Sequence, residues 1–318
     1  MGASVSTIIA AYNAERTIRE TLESALSQQY DNHEIVVVND GSTDSTSEIL
    51  GSFGERIRIV TQANRGPAIA RNVGVAHSSG KYIAFLDADD QWLPGKLETM
   101  VAAIERNPLA SVAFSEFGFV DENGTEYKKS SIGALPSLEQ ILKERPFAGI
   151  SMSEGIMTST WVLPRASFNL AGGFSEKFGP KACEDNWLLV LLRDLGEFVY
   201  VPEKLTLYRV GQHSADMADK YGPGIAVFVA LAKKRYGSEA KRLVRAAENL
   251  RCRWLLTKIA HQIDRGERLG ALDSLMQIAS LRPGYFLSRE FTDRMRLPQN
   301  TRRIRELMIA RTRRQSTW

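Results

Sequence analysis

A short acidic motif directly follows a run of apolar residues. Asp87-Ala88-Asp89-Asp90 comes after residues 82–86, which read Tyr-Ile-Ala-Phe-Leu. A continuous apolar run of this length is typical of a buried strand, so we expect the carboxylates to lie at its end. Two such carboxylates can turn toward one hard cation, which in turn binds nucleotide phosphates. The alternative for the motif as a whole is a solvated acidic turn that precedes a helix. Within the motif, we expect Asp90 to cap the helix that Pro94 begins.

A second acidic pair precedes a different kind of apolar segment. Glu184 and Asp185 stand just before residues 187–192, which predict a helix, so both carboxylates fall in its first turn. A carboxylate held in a cleft can act as a general base toward a hydroxyl group. The alternative is that the pair only caps the helix and compensates its dipole.

The elements that must position these groups alternate regularly along the chain. Residues 4–10, 35–38 and 57–61 read as strands that end in polar loops, as does the strand before Asp87. Segments with helical periodicity, such as residues 14–29, lie between them. About the first 90 residues therefore predict a mostly parallel α/β sheet flanked by helices, with ligand groups at the carboxyl ends of its strands.

Six motifs in a fixed order resemble those of the family 2 glycosyltransferases, which are nucleotide-sugar-dependent enzymes of the GT-A fold, over about residues 4–210. These motifs are Ala11-Tyr12-Asn13-Ala14-Glu15, Val38-Asn39-Asp40-Gly41-Ser42-Thr43-Asp44, Gly66-Pro67-Ala68-Ile69-Ala70-Arg71-Asn72, Leu86-Asp87-Ala88-Asp89-Asp90, Gly172-Gly173-Phe174 and Glu184-Asp185-Asn186-Trp187. The resemblance implies an inverting hexosyltransferase that moves a sugar from a UDP-sugar to a hydroxyl of a saccharide or lipid-linked acceptor in cell-surface polysaccharide or glycan synthesis. A dinucleotide oxidoreductase or a P-loop nucleotidase is not expected, because neither glycine-rich phosphate motif is present.

The resemblance also implies a nucleotide pocket. Tyr12 would stack on the base, Asp40 would accept the N–H of a uracil ring, and Asn64 and Arg71 would complete the pocket. Asp40 could instead only shape its own loop as an Asx turn. Arg71 could instead form a structural ion pair with Asp40 or Asp87.

Metal and catalytic roles follow from the same resemblance. Asp87 would contact the ribose or a Mn²⁺ or Mg²⁺ ion, and Asp89 would ligate the ion directly. Asp185 would be the catalytic base, and Glu184 would hold a donor hydroxyl or orient that base.

The strand predicted over residues 200–209 adds two further candidates. Arg209 is expected to meet a phosphate. Family members often carry a histidine two residues later, where this chain has Gly211. His213 could take over as the third metal ligand or could be a solvent-exposed histidine.

Two other functions are compatible with parts of the sequence. A sugar nucleotidyltransferase would need a glycine-rich N-terminal loop followed by a lysine, which residues 10–13 do not supply. A non-catalytic scaffold that docks a partner or a membrane would not need the complete acidic set.

Charge is distributed unevenly along the 318 residues. Residues 1–216 hold 19 Lys+Arg against 28 Asp+Glu, and residues 217–318 hold 22 against 9. This split predicts a catalytic domain over 1–216, with a nucleotide-sugar half to about residue 90 and an acceptor half from about 91. A basic α-helical region over 217–318 would follow, with helices over about 243–263 and 269–281.

The arginine-rich tail, residues 294–314, interleaves cations with apolar residues. This pattern suits an anionic membrane surface, although a solvated face or an oligomer contact fits it too. Nucleic acid is not an expected partner, because no aromatic platform is interleaved with the arginines. Two distant cysteines, no signal peptide and no apolar stretch of about 18 residues predict a cytoplasmic protein that can bind the inner face of the membrane.

Overall fold

A computed structural model describes residues 3–127, 156–179, 182–210 and 217–287 of the chain. The chain divides into two compact units, Met1–Gln212 and His213–Trp318. His213 and the basic tail lie outside the described residues, so their predicted roles stay predictions.

One mixed sheet runs through the described part of the first unit. Its strands are β1 (Val5–Ala11), β2 (His33–Asn39), β3 (Arg58–Thr61), β4 (Tyr82–Phe85), β5 (Gln91–Trp92), β6 (Ala110–Val120), β7 (Glu126–Tyr127), β8 (Trp161–Pro164) and β9 (Glu197–Arg209). The order is β3-β2-β1-β4-β8-β6-β9-β5, and β7 pairs with β6. The first four strands are parallel, as predicted, whereas β8 runs antiparallel to both β4 and β6.

Helices cover both faces of this sheet. They are α1 (Ile18–Leu26), α2 (Thr46–Gly51), α3 (Pro67–Ala76), α4 (Lys96–Glu105), α5 (Arg165–Ala171) and α6 (Glu184–Leu195). Successive residues of β1 point to opposite faces: Ile9 packs in the layer that contains Leu22, and Ile8 packs in the layer that contains Leu188. Burial on both faces explains why β2 and β4 read as continuous apolar runs.

Local chemistry fixes where the site-bearing helix α3 begins. Gly66 precedes it with a φ of +88°, a conformation that residues with a Cβ rarely adopt. Pro67 occupies the first helical position, where its fixed φ favours the helix and its missing N–H costs nothing. This start sets the direction of the helix that carries Arg71.

The second unit is helical in its described part. Its helices are α7 (Met217–Tyr236), α8 (Lys241–Asp264) and α9 (Arg268–Leu281). The periodicity of the sequence predicted α8 and α9, and Leu255, Ile259 and Ile278 pack between them. Helix α7 was not predicted, because Pro223 and its two flanking glycines interrupt the helical pattern near the start. Among the described helices, none is long and apolar enough to span a membrane.

Candidate active site

Two loops at the carboxyl ends of β1 and β2 are tied together by hydrogen bonds. The Asn13 N–H donates to Ser42 Oγ at 3.0 Å, and Asn13 Oδ1 accepts the Thr43 N–H at 2.8 Å. One residue pair further along, the Glu15 N–H donates to Asp44 Oδ2 at 3.1 Å. These contacts connect the two loops into one rim at the edge of the sheet. The residues predicted to bind the nucleotide lie at this edge.

Tyr12 and Asp40 are both at this edge but in opposite environments. The Tyr12 side chain is half exposed. Asp40 is buried, and its carboxylate accepts hydrogen bonds from Gln62 Nε2 at 2.7 Å and from the N–H groups of Arg65 and Gly66 at 2.9 and 2.8 Å. These donors lie more than 20 residues away, so Asp40 holds the loop after β3 instead of forming a local Asx turn.

Asn64 lies in the loop that Asp40 holds. The neighbouring Gly41 has a φ of +76°, and a Cβ there would come within 2.7 Å of the Asn64 backbone nitrogen. A glycine is therefore required for the loops after β2 and β3 to approach so closely. The side chain of Asn64 is exposed at the same edge as Tyr12.

Arg71 connects the two acidic motifs. Its Nη2 lies 2.7 Å from Asp87 Oδ1, and its Nη1 lies 2.7 Å from Glu184 Oε1. The guanidinium is buried and lies over the ring of Phe174, 5.2 Å from the ring centroid. Of the ion pairs that the sequence left open, the structure shows the one with Asp87, and it adds a second with Glu184.

The glycine pair of the fifth motif packs against the third. Asn72 Nδ2 donates to the Phe174 carbonyl at 2.8 Å, and Asn72 Oδ1 accepts the Phe174 N–H at 2.9 Å. Gly173 has a φ of +69°, and a Cβ there would come within 2.9 Å of Asn72 Oδ1. Residues about 100 positions apart in the chain thus place the Phe174 ring beneath Arg71.

The motif after β4 contains carboxylates in three different environments. Asp89 is exposed and Asp87 is partly buried, whereas Asp90 is fully buried. Asp90 accepts hydrogen bonds from Ser159 Oγ and the Arg209 N–H, and Ser159 Oγ accepts the Asp87 N–H. Burial, with the nearby Asp89 and Asp87 charges, raises the pKa of Asp90 well above its ordinary value. The predicted helix cap is wrong: α4 begins only after Gly95, and Asp90 instead anchors the loop.

Arg209 is committed to protein contacts. Its Nε donates to the Asp89 carbonyl, and its Nη1 donates to the carbonyls of Asp121 and Glu122. Its Nη2 pairs with Glu20 Oε2 at 2.8 Å. Four of the five guanidinium N–H groups are therefore used within the protein. The structure places Arg209 as a clamp beneath the Asp89 loop and does not support the predicted phosphate contact.

Asp185 lies in the first turn of α6, beside the Arg71 ion pairs. Helix α6 follows Cys183, whose φ of +83° is strained for a residue with a Cβ. Asp185 Oδ1 accepts the N–H and the side-chain Nδ2 of Asn186 at 2.7 and 2.9 Å. Burial, together with the adjacent Glu184 carboxylate, raises the pKa of Asp185 to about 7.

A buried lysine that the sequence did not single out joins β6, β9 and the residue before β8. The Lys96 side chain is fully buried, and Nζ donates to the Thr160 carbonyl at 3.1 Å, Thr206 Oγ1 at 3.1 Å and Ser115 Oγ at 3.3 Å. Burial lowers the pKa of Lys96 to about 7. A lysine at the start of a helix normally reads as a surface residue, so the sequence carried no signal of this role.

The side chains of the described residues do not by themselves form a closed metal cage. In the described ranges, no group of three or more His, Cys, Asp or Glu side chains is arranged to hold a metal ion. Asp87 and Asp89 nevertheless lie on one turn, and one Asp87 oxygen remains beyond the one that pairs with Arg71. Two carboxylates that share an ion with substrate phosphates are a usual arrangement for Mg²⁺, so the residues fit such an ion.

Comparison with known proteins places this geometry in a family. A model described as "Glycosyl transferase family 2" matches residues 6–165. An uncharacterized glycosyltransferase of Rickettsia bellii is 40% identical over 135 residues, which cover 42% of this chain and 19% of that protein. This chain thus spans about a fifth of that relative's length.

Two further proteins are similar over more of their length. The Escherichia coli protein named UDP-Glc:alpha-D-GlcNAc-diphosphoundecaprenol beta-1,3-glucosyltransferase WfgD is 33% identical over 189 residues, which cover 59% of this chain and 69% of that protein. The crystal structure of S. aureus TarS 1-349 in complex with UDP-GlcNAc has a TM-score of 0.57 at 18% identity, covering 87% of this chain and 81% of that one. This likeness confirms the predicted GT-A fold. The chain belongs to glycosyl transferase family 2.

Proposed function

We propose that the protein transfers a sugar from a UDP-sugar to a hydroxyl of a lipid-linked saccharide, with inversion at the anomeric carbon and with a divalent cation. The observation that carries this proposal is the pair of 2.7 Å contacts from Arg71 to Asp87 and Glu184. They hold the loop that would bind the donor diphosphate next to the helix end that carries Asp185.

The uridine would bind at the rim formed by the loops after β1, β2 and β3. Tyr12 offers an exposed ring on which a base can stack. Asp40 uses three hydrogen bonds to hold its own loop, and its two oxygens offer about four acceptor positions. The remaining position suits the N–H of a uracil ring, and Asn64 lies beside it.

Asp185 would take the proton from the acceptor hydroxyl as that oxygen attacks the anomeric carbon. A base whose pKa lies near the working pH is most effective, and the raised pKa of Asp185 meets this condition. Asn186 fixes one carboxylate oxygen, which leaves the other to accept the proton. Direct attack in a single displacement would invert the anomeric configuration.

Asp87 and Asp89 would hold the Mn²⁺ or Mg²⁺ ion. When bound, such an ion supplies charge stabilisation to the diphosphate leaving group. Asp90, Ser159 and Arg209 would keep the two ligands in place, because they fix the backbone of the same loop.

The acceptor class is inferred from a relative. WfgD is named for an acceptor linked to diphosphoundecaprenol and for UDP-Glc as its donor. TarS 1-349 has been crystallised with UDP-GlcNAc. These names support a UDP-sugar donor and a lipid-linked acceptor. We expect the reaction to serve cell-surface polysaccharide synthesis at the inner face of a membrane.

Substitution Asp185→Asn tests the assignment of the base. Asparagine has the same shape but cannot accept a proton, so UDP release from UDP-glucose or UDP-N-acetylglucosamine should fall about 100-fold or more. Binding of UDP with Mn²⁺, measured by calorimetry, should stay within about threefold of the wild type.

The matched control is Asp194→Asn, at the other end of the same helix. Asp194→Asn should keep both the wild-type rate of UDP release and the wild-type affinity for UDP with Mn²⁺. Full turnover by Asp185→Asn, or equal loss in both variants, would contradict the assignment.

A further inference from the structure

We propose that the corner between α7 and α8 binds an anionic membrane surface. Six exposed cations lie within 13 residues here: Lys233, Lys234, Arg235, Lys241, Arg242 and Arg245. We call this set the basic corner. A single acid, Glu239, lies among them. A cluster of this size on one folded corner is the electrostatic footprint of an anionic partner.

The position of the cations within α8 argues against a purely structural role. Lys241 and Arg242 lie in its first turn, and that turn contains no acid. The N-terminal end of a helix carries partial positive charge, so cations there oppose the helix dipole. Acidic residues would stabilise this helix end better. The cations therefore point to a favourable contact with an anionic partner that offsets their unfavourable interaction with the helix dipole.

The chemistry of the corner favours a lipid surface over a nucleic acid. Tyr236 is the one aromatic residue within 233–245, and its hydroxyl accepts a hydrogen bond from Arg235 Nε at 3.2 Å. Single-stranded nucleic acids are usually held by aromatic platforms interleaved with cations, and this corner offers no such series. The choice of a membrane also rests on the proposed function, because a lipid-linked acceptor presents its sugar at a membrane surface.

The basic corner is distinct from the tail that the sequence singled out. It consists of described residues on two packed helices, whereas the tail over 294–314 lies outside the described part. Each cation near an anionic surface strengthens binding by about fivefold, so the corner can act without the tail.

Charge reversal at the corner tests the proposal in the full-length chain. Lys241→Glu with Arg242→Glu should weaken binding to vesicles of phosphatidylcholine containing about one third phosphatidylglycerol by at least about 20-fold at about 0.1 M salt. Vesicles of phosphatidylcholine alone should not bind either form. Because the new acids suit the helix N-terminus, the melting temperature should not fall.

Arg265→Glu with Arg268→Glu is the matched control. It makes the same charge change beyond the far end of α8, which is 24 residues or about 36 Å long, several Debye lengths away. Its vesicle binding should change by less than about threefold. Equal weakening in both variants, unchanged binding in the corner variant, or tighter binding of a DNA duplex than of the vesicles would overturn the proposal.

No donor or acceptor is present in this assay. Failure of vesicle binding therefore leaves the proposed transfer reaction untouched. If UDP binding, measured separately, were absent, the proposed transfer reaction would be contradicted, whereas the result of the vesicle assay would stand.

Discussion

At the scale of single residues, Arg71 determines how the acidic groups are arranged. Its planar guanidinium offers separate N–H groups to Asp87 and to Glu184, both at 2.7 Å. A lysine has the same charge but a single ammonium group. It would leave one buried carboxylate without its partner, which is costly in a low-dielectric environment.

We therefore expect Arg71→Lys to lower the free energy of unfolding by about 2 kcal/mol. Urea denaturation followed by circular dichroism measures this loss. The exposed Arg65 provides a control, since its pair with Glu176 is loose at 3.9 Å. Arg65→Lys should change stability by less than about 0.5 kcal/mol, and similar losses in the two variants would contradict the bridging role.

The position of several candidate residues at one edge of the sheet could be predicted from the sequence, but most of their hydrogen-bond partners could not. Apolar runs mark the strand ends, and so Tyr12, Asp40 and the Asp87 motif were located correctly at one edge of the sheet. Which carboxylate turns inward depends on residues far along the chain. Asp90 became the buried anchor because Ser159 supplies its donor, and a local reading of the motif contains no information about that residue.

At the scale of elements, a histidine joins the neighbouring strands β1 and β2. His33 Nε2 lies 2.7 Å from Thr7 Oγ1, in an interior that disfavours the charged imidazolium. Burial lowers the pKa of His33 from 6.5 to about 4. Below pH 6.5 the unfolded chain therefore binds a proton that the folded chain does not take up until about pH 4.

The contribution of His33 to stability should accordingly be complete above pH 6.5 and should disappear as the pH falls toward 4. A shift of this size corresponds to about 3 kcal/mol. Denaturation curves of the wild type and of His33→Asn, measured between pH 4 and 7, give the difference directly. The exposed His77 is the control, and His77→Asn should keep the pH dependence of the wild-type free energy of unfolding. If His77→Asn lost this pH dependence as His33→Asn is expected to, the assignment to His33 would be contradicted.

The elements differ in how far the sequence determines them. Strands β1, β2 and β4 were predicted from largely apolar runs that end in polar loops, and β3 from the stretch of mostly β-branched residues over 57–61. The insertion of β8 between β4 and β6 was not, because it pairs Ile83 with Leu163, 80 residues away. Such pairing depends on the whole sheet and leaves no periodic signal in either strand.

At the scale of the whole molecule, charge and architecture divide together. Residues 1–216 carry a net charge of −9 and residues 217–318 a net charge of +13. The first unit contains the acidic residues of the candidate site, and the basic corner belongs to the second. The uneven charge alone indicated that the chain has two parts. The position of the exposed cations could be recognised only once the bounds of α7 and α8 were known.

Thermal unfolding in the presence of nucleoside diphosphates is the decisive test of the proposed UDP-sugar site. A ligand that binds only the folded protein raises the melting temperature, by a few degrees for a chain of this size when it is present at about 100 times its Kd. We expect a larger shift in melting temperature with UDP than with ADP or GDP, and a further rise with Mn²⁺. The Asp89→Asn variant should lose only the Mn²⁺-dependent part, and Tyr12→Ala should lose most of the UDP shift while keeping its own melting temperature. A chain that shows no shift with any nucleotide, or an equal shift with all three, would contradict the assignment of a UDP-sugar site.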